Sequence, residues 1–128
     1  MGKHILAVDD DKTILEFIKG ALVPHGYEVT CVSGGKEAIE ILKEQTFDCV
    51  ILDFYMPEKD GLDVVGSMYS RKDRTPTIVF TNKIEPHHEA GIQGFGIVRE
   101  VLKKPCPAEK LLEAVERVTE ARKQGKIT

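Results

Sequence analysis

Asp9, Asp10 and Asp53, the hydroxyl of Thr81 and the amine of Lys104 all stand where an apolar run of this chain gives out. Asp53 follows Cys49-Val50-Ile51-Leu52 and opens the segment Phe54-Tyr55-Met56-Pro57-Glu58-Lys59-Asp60-Gly61. Asp9-Asp10-Asp11 follow Ile5-Leu6-Ala7-Val8, and Thr81 follows Thr77-Ile78-Val79-Phe80. Lys103-Lys104-Pro105 follow Val101-Leu102. Carboxylates, a hydroxyl and an ammonium at four strand ends are suited to holding a divalent cation beside a phosphoryl group. Two carboxylates about 4 Å apart repel by roughly 4 kcal/mol at an effective dielectric near 20. A cluster of them therefore invites a hard cation.

These side chains meet only if the strand ends lie side by side. Strand and helix patterns alternate along the chain. Strands are expected at His4–Val8, Glu28–Val32, Asp48–Asp53, Pro76–Phe80 and Val98–Leu102. The third is apolar on consecutive residues, as suits a strand covered on both faces. Helices are expected from Lys12 to Val23, then up to about Gln45, and over Gly61–Ser70, Pro86–Phe95 and Pro107–Lys123. Their inward stripes are Ile14, Leu15, Ile18 and Leu22; Ala38, Ile39, Ile41 and Leu42; Leu62, Val65 and Met68/Tyr69; and Leu111, Leu112, Val115 and Val118. Gly91, Gly94 and Gly96 make the fourth helix and its exit the least stable stretch. Five such units imply a three-layer α/β sandwich around a parallel sheet. Ligands of open α/β sheets bind outside the carboxyl ends of the strands, where the acids stand.

The bulk properties narrow the classes. The chain's 128 residues suit one domain, taken as 1–124 with 125–128 as a tail. A net charge of −3 argues against direct nucleic-acid binding, which needs a basic face. No apolar run is long enough to span a membrane, and three aspartates interrupt the first apolar run at once, so the expected location is cytoplasmic. Cys31, Cys49 and Cys106 have no metal-type spacing and read as small hydrophobes.

The pattern Val8-Asp9-Asp10, Asp53 with Met56-Pro57 and Asp60-Gly61, then Thr81, then Lys104-Pro105 resembles the receiver domain of bacterial two-component response regulators. The resemblance runs from about Lys3 to about Arg122. It implies a flavodoxin-like sheet of order 2-1-3-4-5 with five helices. It also implies phosphorylation of Asp53 by a phosphohistidine of a sensor histidine kinase or histidine phosphotransfer protein. Asp10 would ligate Mg²⁺ directly, Asp9 mainly through water, with Asp53 and the Tyr55 backbone carbonyl further ligands; Mn²⁺ could substitute. Lys104 would pair with Asp53 and then with the phosphoryl group, to which Thr81 would donate a hydrogen bond. A cis bond is implied at Lys104-Pro105. The implied output is a protein-interaction face at about Ile84–Lys110, read by an unidentified downstream protein, with no catalytic role beyond self-phosphorylation and self-dephosphorylation.

The chain departs from that pattern at Val101, where the family often has Tyr or Phe, and at Asn82, where Ala or Gly is usual. Tyr55 and Asn82 are expected to shield an acyl phosphate. Asp11 reads as helix-capping charge, Asp60 as an N-cap, and Lys103, His87 and His88 as solvated. Two other readings stay open. Asp9-Asp10-Asp11-Lys12-Thr13 resembles the DxDxT start of haloacid-dehalogenase-type phosphatases, with Asp9 as nucleophile and Asp11 as general acid. The fold could also serve as a binding module that uses no phosphate.

Overall fold

The computed structural model describes residues 2–123, with side chains to residue 120. The expected tail 125–128 lies outside the described residues. Five strands, β1 (His4–Val8), β2 (Glu28–Val32), β3 (Cys49–Leu52), β4 (Thr77–Thr81) and β5 (Val98–Lys103), form one parallel sheet of order β2-β1-β3-β4-β5. The helices are α1 (Lys12–Leu22), α2 (Gly35–Glu44), α3 (Gly61–Ser70), α4 (Pro86–Gln93) and α5 (Ala108–Lys123).

Successive side chains of a strand point to opposite faces, and here both faces are apolar. Leu6, Val8, Val50, Leu52 and Val79 join the core beneath α2, α3 and α4. Ile5, Ala7, Cys49, Ile51, Ile78 and Phe80 join the core beneath α1 and α5. Each fully buried aliphatic side chain contributes roughly 1.5–3 kcal/mol before conformational entropy is counted. The strands are therefore held from both sides, and their carboxyl ends form a firm floor. Among the described residues, no helix is long and apolar enough to cross a membrane.

The inward stripes of α1, α2 and α5 are those expected. That of α3 is not. Val64, Val65 and Met68 are buried, whereas Leu62 and Tyr69 are 39% and 60% exposed. The cause is Gly61. Its N–H donates to the Phe54 carbonyl at 2.6 Å, and a Cβ there would lie 2.9 Å from the Phe54 Cα. That close approach sets the rotation of the helix, and residues 61, 64, 65 and 68 then face inward together.

Helix α4 ends at Gln93, earlier than expected; Gly94 follows it, and Gly96 takes a left-handed conformation at φ 81°. It buries only Ile92. The β4–β5 register skips Arg99, pairing Thr77 with Val98 and Ile78 with Glu100.

Candidate functional site

The sheet register brings the acids together. Val8 of β1 lies beside Leu52 of β3, so the residues that follow, Asp9 and Asp53, emerge as neighbours. The Asp53 N–H donates to the Val8 carbonyl at 3.0 Å, extending the ladder by one bond into the site. Oxygens of Asp9, Asp10 and Asp53 lie within 4.8 Å of one another, with Asp9 and Asp53 buried and Asp10 exposed. On the other side, Thr81 pairs with Lys103, and the Lys104 N–H donates to the Thr81 carbonyl at 2.8 Å. The Lys104–Pro105 peptide is cis.

Lys104 is nearly buried, and its ammonium sits 5.7 Å from the centre of the Phe80 ring. It is 2.7 Å from Asp9 Oδ2 and 3.7 Å from Asp53 Oδ2. The pairing with Asp53 that the resemblance implies is present as the longer ion pair, and the short hydrogen bond goes to Asp9. Asp9 is held for that role, because its other oxygen accepts the Asp11 N–H at 2.9 Å.

Asp53 is left the less fully paired of the two buried acids. Burial pushes its carboxyl above the ordinary range. Lys104 pulls it down, Asp9 pushes it up, the Thr81 hydroxyl pulls it down and Asp10 pushes it up. The folded chain thus holds a proton on Asp53 more tightly than the unfolded chain does. Stability from this group is present at low pH and is lost as pH rises through the raised folded value, so the ionised form costs stability at neutrality. In metal-free buffer at pH 7, Asp53→Asn is expected to melt a few degrees above the parent, and the difference to shrink as pH falls towards about 4. Melting curves from pH 4 to 8 measure this; a variant no more stable than the parent at pH 7 would contradict it.

Other expectations can be placed as well. Asp11 is exposed and caps α1, accepting the Thr13 N–H at 2.9 Å. Asp60 and Asp63 form a reciprocal capping box on α3, each accepting the other's N–H. Lys103 is exposed. Thr81 is buried, with its hydroxyl 3.5 Å from the Lys83 carbonyl. Asn82 lines a cleft of about 250 Å³ with Thr81, Lys83, Ile84, Val101, Leu102 and Lys103.

His88 is not the solvated residue expected. Its Nδ1 is 2.9 Å from the Tyr55 hydroxyl, and its ring lies 5.3 Å from that of Phe54. The Tyr55 hydroxyl also accepts the Glu85 N–H at 3.0 Å. No local spacing signals this contact between residues 33 apart in sequence. The only hint was a large polar aromatic two residues after Asp53.

The donors at the cluster are all carboxylate oxygens, two of them buried, which fits a hard divalent cation. A family model described as "Response regulator receiver domain" matches residues 5–116. Over 120 residues, or 94% of its length, the chain is 33% identical to the response regulator SaeR of Staphylococcus aureus. It spans about half of that relative, 52%. The chemotaxis response regulator CheY4 of Vibrio cholerae superposes with a TM-score of 0.84 at 29% identity, over 92% of this chain and 99% of that one. The receiver domain of the sensor histidine kinase PA1611 of Pseudomonas aeruginosa, whose structure holds a magnesium ion coordinated in its active-site cleft, superposes with a TM-score of 0.83 over 94% of this chain and 99% of that one. At 24% identity, that last likeness concerns the fold.

Proposed function

Since this chain belongs to the response regulator receiver domain family of two-component systems, we propose that it accepts a phosphoryl group from a phosphohistidine onto Asp53 and so switches a protein-interaction surface. The observation that carries this reading is the packing of Asp9, Asp10 and Asp53 around one point, with the Lys104 ammonium reaching two of them. The domain is taken as residues 1–124, acting in the cytoplasm. Its partners would be a sensor histidine kinase or histidine phosphotransfer protein and a downstream protein, without direct contact to nucleic acid or membrane.

Asp10, Asp53 and the Tyr55 carbonyl would hold Mg²⁺ directly and Asp9 through water, and Mn²⁺ suits the same oxygen donors. When bound, the ion supplies positive charge beside the phosphoryl oxygens. An Asp53 oxygen attacks phosphorus in line. The new P–O bond forms as the P–N bond to the donor imidazole breaks, and the electron pair of that bond leaves with the ring nitrogen. Lys104 turns from the carboxylates to a phosphoryl oxygen, and Thr81 donates its hydroxyl to another. The product is an acyl phosphate open to slow hydrolysis. Charge at Asp53 goes from −1 to about −2, which draws Thr81 and Lys104 inward and moves the loops that carry them. Asp11, the acid that a phosphatase reading would need, is spent on capping α1.

The test is an amide NMR titration with Mg²⁺ followed by beryllofluoride, a phosphoryl mimic. Shifts at Asp9, Asp10 and Asp53 on adding Mg²⁺, spreading to Thr81 and Lys104 with beryllofluoride, are expected. No response at these residues would leave only the fold, and with it a binding module that uses no phosphate.

A further inference from the structure

We infer that Tyr55 is the positioning residue that ties α4 to the phosphoacceptor loop, so that a charge change at Asp53 reaches α4 through the Tyr55 hydroxyl. This rests on the reading of Asp53 as the phosphoacceptor. Among the described residues, the hydrogen bonds that join residues 53–60 to residues 82–93 both end on that hydroxyl. Its oxygen accepts the Glu85 N–H at 3.0 Å and is hydrogen-bonded to His88 Nδ1 at 2.9 Å. Glu85 precedes the first turn of α4 and His88 lies in that turn, so one hydroxyl holds both the entry and the start of the helix.

The anchor is braced on the other side. The Tyr55 ring stands edge-on to Phe54, 4.8 Å between centres, and Phe54 is buried directly after Asp53. The bonded path from the acceptor to α4 is thus three consecutive residues and one hydroxyl, beside which the Phe54 ring also lies against that of His88 at 5.3 Å. Helix α4 has little else to hold it. It is eight residues long, carries no side-chain cap and buries only Ile92. Beside β5, a cleft of about 250 Å³ leaves the β4–α4 loop loosely packed against Val101, Leu102 and Lys103, and only deeper do Val98 and Ile92 share the core. Displacement passes through packed or bonded groups, and a gap absorbs it.

Tyr55→Phe removes the hydroxyl and keeps the ring; His88→Ala removes one of the two bonds. Amide hydrogen exchange is measured on the full chain with Mg²⁺, with and without beryllofluoride. In the parent, exchange across Glu85–Ile92 is expected to change by about fivefold or more when beryllofluoride binds, the lower end of common coupling between sites. His88→Ala should keep the response at Asp53, Thr81 and Lys104 while its α4 response is reduced, and Tyr55→Phe should bring the α4 response below about twofold. A purely local structural role would loosen α4 equally with and without beryllofluoride and leave the ratio unchanged, which overturns the inference. A parent whose site responds while α4 does not overturns it too. Absence of any response at Asp53 in the parent would instead bring down the phosphoacceptor reading, and this inference with it. If Tyr55→Phe does not fold, a parent-like α4 response in His88→Ala alone rejects the link.

Discussion

Asp53→Asn is expected to abolish phosphoryl uptake. With a phosphohistidine donor or a small donor such as phosphoramidate, and Mg²⁺ present, the parent should gain the mass of one phosphoryl group. The variant gains it at least about a thousandfold more slowly, the scale of losing a nucleophile outright. The amide keeps the shape of the side chain and removes the attacking charge. Asp9 cannot stand in, because one of its oxygens is bonded to the Asp11 N–H and the other to Lys104. Asp10 is exposed, outside the buried pair that Lys104 bridges. Because Asp53→Asn relieves the cost of a buried ionised carboxylate, lost uptake in a variant that melts higher than the parent cannot be blamed on unfolding. Uptake at the parent's rate would move the acceptor to another residue and end the reading.

Lys104→Met has the second large effect, on stability as well as on rate. The ammonium lies between two buried carboxylates, and removing it leaves both without a cation. Breaking a buried ion pair at one partner costs about 3–5 kcal/mol, a large share of the 5–15 kcal/mol that holds a typical domain. Chemical denaturation in metal-free buffer should show a loss of that size. Adding Mg²⁺ should restore more stability to this variant than to the parent, since the ion brings positive charge to the same oxygens. Asp9→Asn combined with Lys104→Met should recover most of the loss, because the second change removes a stranded charge. Phosphoryl uptake by Lys104→Met should fall about 10²–10³-fold, the usual scale for one electrostatic donor aimed at developing charge. A single variant as stable as the parent without metal would mean that Lys104 is not the neutralising cation of the site.

The acids, the hydroxyl and the lysine were legible because each closes an apolar run, and a parallel sheet aligns the ends of its strands. Consecutive apolar residues in β1 and β3 announced a sheet covered on both faces, and the alternation of periods announced the helices between. The strand order came from the resemblance, since pairing between distant strands leaves no trace in local spacing. Other features waited for the tertiary structure. In α3, the expected stripe 62, 65 and 68/69 is as regular as 61, 64, 65 and 68, and periodicity cannot choose between Leu62 and Val64 or between Met68 and Tyr69. The approach of Gly61 to the Phe54 backbone chooses. Lys104 could reach either buried acid, and Asp9 takes the short bond because the Asp11 N–H orients its carboxylate. His88 sat beside His87 like any exposed pair until the loop after β3 brought the Tyr55 hydroxyl to it. The sequence by itself determined which chemical groups stand at the strand ends, because periodicity and composition are local. Which group bonds which was decided by the tertiary structure, because hydrogen bonds a few ångströms long depend on helix rotation and loop paths set by packing from all sides.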